Sequence, residues 1–334
     1  MKLLVRLMST AGAISCVAAL GAPVARAQGS HAEGHLESGR LPAIEIAAGL
    51  AHGVGLGTAV FLVGLPVFAA LVWRPASREE AAGKIFAPFG RWVWALFGLL
   101  VVAGAVEVSL YAVRASGEPF GLGLLWQALS ETRVGHVWLV RLGVGALIAL
   151  LASWALDDER GLPRWVLLGA GCVMLITLTQ LSHAAEGNLV TLMADWLHVI
   201  AGSVWVGGLL GFPMLLLGPL RGMQREERAR VLGRAVRRFS RVTTAAVAVL
   251  VVTGVYASLL RLPDLSALVE TAYGRALIMK LGMVTLMLAV GAINLHDRGR
   301  DPFGRMVMFE LLLALGVFVA TGFLTSLPPP GTET

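Results

Sequence analysis

The chain alternates long apolar runs with short polar connections. The runs fall at 42–73, 92–114, 137–156, 165–182, 191–217, 242–260, 276–295 and 306–327, each near the roughly 20 residues a helix needs to cross hydrocarbon. The pattern predicts an all-α, polytopic membrane bundle of eight transmembrane helices. Run 191–217 is the stretch around which the rest reads as organised, because it carries Asp195 and His198 in apolar surroundings. An acid or imidazole at that depth is expensive and is a functional hypothesis by default. Asp195, His198, Gly202 and Trp205 follow at i, i+3, i+7 and i+10 and share one helix face. That face is expected to look into the bundle, with Gly207, Gly208 and Gly211 admitting a neighbouring helix.

The chain also repeats itself. Thr132, Gly135, His136 and Arg141 match Thr271, Gly274, Arg275 and Lys280 at an offset of 139 residues. Phe89 and Arg91, with Val101 to Gly104, match Phe239 and Arg241, with Val251 to Gly254, at 150. His52 pairs with His198, and Leu178–Thr179 with Leu324–Thr325, at 146. Ordered matches at nearly one offset predict two parallel four-helix repeats, 42–190 and 191–327, of the kind whose sites lie between the halves. On this register Glu107 has Ala257 as its counterpart.

Composition sharpens the class: 57% of the 334 residues are apolar and 14% charged, and mean hydropathy is +0.76, far from a soluble domain. The net charge of +6 comes from basic residues between spans, so it reads as a topology signal and excludes a nucleic-acid tract. Seventeen Lys and Arg lie in 74–91, 157–164, 218–241 and 296–305 against seven on the opposite side. The positive-inside rule therefore makes the first set cytoplasmic and both mature termini periplasmic. Residues 1–27 have the Lys2/Arg6 charge, short apolar middle and Ala25–Ala27 end of a cleaved signal peptide, the alternative being a further uncleaved helix. Cys16 leaves with it, and Cys172 is then a single thiol. A polar tail, 28–41, carries His31, Glu33, His35 and Glu37, and 328–334 forms a second periplasmic tail.

No phosphate loop, Walker lysine or nucleophile with its base is present, so no nucleotide partner and no enzymatic activity are expected. The chemistry sits in the histidines. At about 1.5 Å per residue, His52 lies roughly 15 Å in from Pro42, near mid-membrane, and His198 is somewhat shallower. Asp195, one turn outward, is placed to orient His198 or to join it as a ligand. His183 and Glu186 lie in the short loop leading into the Asp195 helix. Met279, Met283 and Met287 form a stripe on the seventh run, and Met193 sits beside Asp195; thioether and imidazole both suit copper. Glu107 is a proton-carrying group or the partner of an intramembrane cation, and Glu310 is expected to answer the Arg-rich loop. A haem b electron-transfer protein with His52 and His198 as axial ligands is the alternative reading.

At residue level the chain resembles the copper resistance D family, CopD, of bacterial inner-membrane proteins. The resemblance rests on Leu181–Ala184, on Asp195–His198 with Trp205–Leu209, on Arg238–Arg241 through Thr253–Gly254 to Tyr273–Arg275 and Lys280–Leu281, and on Phe309–Leu311 ending in Leu327–Pro329. It covers 42–330 and is strongest over 181–327. It implies a protein that moves copper, as Cu(I) or Cu(II), across the inner membrane or hands it on, beside a separate periplasmic CopC-like protein. On that reading His198, Asp195, His52 and His183 are the copper-handling residues, with Met193, Met279 and Met283 as soft candidates.

Overall fold

The computed structural model describes residues 41–77, 87–155, 162–182, 188–261, 266–296 and 303–326; the signal, both tails, His183 and Glu186 lie outside them. Among the described residues all regular structure is helical. The helices are α1 (Leu41–Phe68), α2 (Arg74–Ser77), α3 (Ala87–Ser116), α4 (Leu122–Glu131), α5 (Arg133–Ala155), α6 (Leu162–Thr179), α7 (Leu189–Gly202), α8 (Gly211–Leu217), α9 (Arg225–Arg261), α10 (Ala267–Glu270), α11 (Ala272–His296) and α12 (Phe303–Ser326). π turns at Ala69–Trp73 and Ser203–Gly207 join α1 to α2 and carry the chain from α7 towards α8. Seven helical segments are long and apolar enough to cross a membrane, while Arg164–Thr179 is shorter than the other spans. The protein is a polytopic helical membrane protein.

The centre is α1 and not the 191–217 run. Its apolar window is 83% buried, against 17–56% for the other six, because α3, α5, α6, α12 and the Ser203–Gly207 turn all pack on it. Five glycines make this possible: Gly49, Gly53 and Gly57 face Phe323 and Phe318 of α12, Gly55 faces α3 and α5, and Gly64 meets Gly207. A Cβ on Gly53 would come 2.8 Å from the Phe318 carbonyl oxygen, and one on Gly207 would come 2.6 Å from that of Val60. Small residues here replace the hydrophobic drive that helices lack in lipid with close van der Waals contact. Edge-to-face aromatics extend the core: Phe61 on Phe318 at 5.7 Å, and Phe212 at 5.1 Å from both Phe68 and Phe239. Leu99, Val102, Leu150, Val252, Leu259 and Leu315 point outward, which suits lipid contact.

The 37 residues of α9 span roughly 55 Å, well beyond a hydrocarbon core of about 30 Å. Its Arg-rich start packs on the end of the first span instead of lying in a loop. Arg234 Nε donates to Ala76 O at 2.9 Å and Arg238 Nε to Leu71 O at 2.7 Å. Pro75 has no N–H to give Leu71 O in the helical pattern, and the guanidinium supplies a donor at the negative end of the helix. The last segments, α11 and α12, pack together and α12 lies along α1, whereas α9 and α11 scarcely touch.

Candidate metal site

Both membrane histidines bond sideways to the next long helix. His52 Nδ1 of α1 lies 2.9 Å from Glu107 Oε1 of α3, and His198 Nδ1 of α7 lies 2.9 Å from Thr253 Oγ1 of α9. Each partner is 55 residues further along the chain. Thr253 stands 146 residues after Glu107, the same offset as the two histidines, so by position on its histidine Glu107 matches Thr253 and not Ala257, one turn away.

The partners fix the tautomer. A carboxylate only accepts, so His52 donates from Nδ1. With its proton given to Val249 O at 2.7 Å, the Thr253 hydroxyl accepts from His198 Nδ1, the assignment that satisfies both groups. In the neutral ring, Nε2 of each histidine then carries the free lone pair, the arrangement used when an imidazole is oriented to bind a metal.

Each ring has charged neighbours. Around His52, a Cβ on Gly55 would come 2.9 Å from Glu107 Oε2, so the glycine lets that carboxylate lie close to α1. The Trp138 indole lies beside it. Arg141, 1% exposed, stacks 4.2 Å over Trp138, donates to Thr177 Oγ1 at 3.1 Å and to Thr177 O at 2.9 Å, and sets its charge against Glu107. Around His198, Asp195 accepts a bond from Ser182 Oγ at 2.9 Å and feels the charges of Lys280 and Arg261. Asp195 therefore does not hold the His198 ring, as its spacing had suggested; Thr253 does, with Leu250 O nearby. The Asp195 helix is tied to α6 by Ser182 and by Trp196 Nε1, which donates to Cys172 O at 3.0 Å.

The remaining candidates are dispersed. Met193 is partly buried on α7. Met283 packs with Ala320 of α12, Met279 lies against that pair, and Met287 belongs to the main core. Trp205 falls in the π turn and lines a separate cavity, and Glu310 takes a bond from Asn294 in place of the expected arginine. His136 Nε2 bonds Ser130 O at 2.8 Å. Among the described residues no three of His, Cys, Asp and Glu are grouped to hold a metal ion.

The chain matches the family model described as Copper resistance protein D over residues 233–324 and that described as Copper resistance protein D-like, N-terminal domain over 41–191. It is 30% identical over 280 residues to Copper resistance protein D of Pseudomonas syringae pv. tomato, covering 78% of this chain and 88% of that protein. The chain belongs to the copper resistance protein D family. It is also 26% identical over 283 residues to Copper transport protein CutJ of Bacillus subtilis (strain 168), covering 82% of this chain but about half (52%) of that longer relative. No solved structure matches. Asp195, His198 and Trp205 lie between the two matched ranges. None of these descriptions names haem, so the axial-ligand alternative gains no support.

Proposed function

We propose that this CopD-family protein moves copper across the bacterial inner membrane, or hands it on there, through the two oriented histidines. The observation that carries the reading is the shared tautomer. His52 and His198, set in an apolar bundle, are each held at Nδ1 and present Nε2, which suits a borderline-to-soft cation such as copper. On this reading His183, which precedes the Asp195 helix in sequence, meets the cation first, Asp195 attracts it, and Met193, Met279 and Met283 offer soft contacts to Cu(I); an oxygen ligand favours Cu(II).

Two quasi-equivalent halves support the path. Thr132 and Thr271 each bond back to Ala128 O and Ala267 O at 2.6 Å, and each caps the N–H of Gly135 or Gly274 at 3.0 and 2.9 Å. The same local structure thus recurs at the offset of 139, as two parallel four-helix repeats require. The arginine end, with Arg225 to Arg241, faces the cytoplasm and the histidine end faces the periplasm. A separate CopC-like protein delivers or collects copper there, and no catalytic step is involved.

The test is copper content and optical spectrum of the purified full chain. Wild type is expected to retain copper without a haem Soret band, and His198→Ala and His52→Ala to lose it. Wild-type copper in both variants, or a Soret band abolished by them, would overturn the reading. Asp195→Asn is expected to lose less copper than His198→Ala.

A further inference from the structure

The arginine end holds a second buried acid that the copper path does not use. Glu310 of α12 is 2% exposed, accepts a hydrogen bond from Asn294 Nδ2 of α11, and has no ion-pair partner among the described residues. It lines a cavity of about 230 Å³ in the gap between α9, α11 and α12, with Asn294, Ser240, Thr243 and Thr244 as the other polar walls. A neighbouring depression is bounded by Arg237, Ser240, Arg241 and Thr244. The two share Ser240 and Thr244, so a row of hydroxyls runs from the arginine end towards the carboxylate.

The charged surroundings are sparse. On α9, Arg237 and Arg241 stand at the mouth, while Arg234 and Arg238 are engaged with the end of the first span. On α12 the other charge is Arg305, and between Leu281 and Asn294 α11 carries none. The α7–α8 segment Ser203–Leu217 has none either, and the first span has Glu45, His52 and, at its arginine end, Arg74. A bare carboxylate in such a place is costly, and protonation is the simplest way to remove the charge. A metal fits poorly: the wall offers one acid with no second acid, imidazole or thiolate, and two arginines at the mouth repel cations. A proton hopping along hydrogen-bonded water needs no cation to diffuse past the arginines.

We propose that Glu310 is a proton-binding site open to the arginine end. A water in the cavity gives a proton to the Glu310 carboxylate and is reprotonated through hydrogen-bonded water from the mouth; release is the reverse. Asn294 holds the acceptor oxygen in both states. The site supplies a proton for a membrane process to be coupled to, and it stands whether or not copper is the cargo.

The test uses dicyclohexylcarbodiimide, which attacks protonated carboxyls in apolar surroundings, on the full chain in vesicles, with adducts located by peptide mass spectrometry. Wild type is expected to carry the adduct on Glu310. Its yield should fall about tenfold per pH unit once the group deprotonates, as the protonated fraction does. Glu310→Gln should lack that adduct and also lose one protonated-carboxyl band from the acid-minus-alkaline infrared difference spectrum. The wild-type labelling needs no variant to fold. No adduct on Glu310, or a yield independent of pH, would overturn the proposal.

Discussion

The two histidine partners differ in charge, and that difference predicts how each half responds to change. Glu107→Gln keeps an acceptor for His52 but weakens the bond, and Thr253→Val removes the acceptor for His198. Such outer partners are typically worth about 10–100-fold in metal affinity, so both variants are expected to hold copper more weakly by about that factor in a competition titration. A retention equal to wild type would mean that Nδ1 anchoring is irrelevant to binding. The charge opposite Arg141 predicts a stability effect. Arg141→Leu removes the guanidinium that bonds Thr177 and stacks on Trp138, while Glu107 keeps His52; loss of buried hydrogen bonds to a charged group costs about 1.5–3 kcal/mol. Thermal unfolding in detergent should show Arg141→Leu well below wild type, with Arg141→Leu/Glu107→Gln recovering part of the loss. If the double variant is no better than the single, the two charges are not coupled.

At the level of elements, one close approach joins α1 to the π turn after α7. Gly207→Ala places a methyl 2.6 Å from Val60 O and 2.8 Å from Gly64 Cα, so backbones must separate, and a loss of several kcal/mol is expected from overpacking that has no side chain to yield. Gly282→Ala meets nothing within 4 Å and is expected to leave the melting temperature near wild type; equal behaviour of the two would dismiss the close packing. The spans themselves were legible because hydrocarbon demands about 20 apolar residues and the loops are basic. The histidines stood out for the same reason. Their partners did not: Glu107 and Thr253 reach His52 and His198 across 55 residues, and helix order around a bundle leaves no periodic signal. Polar residues drew attention to 191–217, but burial follows small residues, and the glycines of α1 put that helix in the middle.

On the scale of the whole molecule, the proposed repeat gives each half a histidine, an acid and a cation: His52, Glu107 and the buried Arg141 in one, His198, Asp195 and the half-buried Lys280 in the other. The acids come from different helices, Glu107 from α3 and Asp195 from α7, so on the proposed path the two histidines have unlike surroundings. A proton site at the arginine end would then lie beyond both histidines. The direct measurement is copper flux into vesicles containing the full chain, compared for wild type, His52→Ala, His198→Ala and the double variant. Each single variant is predicted to slow flux by at least about tenfold, the effect of roughly 1.4 kcal/mol lost at a binding step. A double variant that carries copper at the wild-type rate would contradict the histidine path outright.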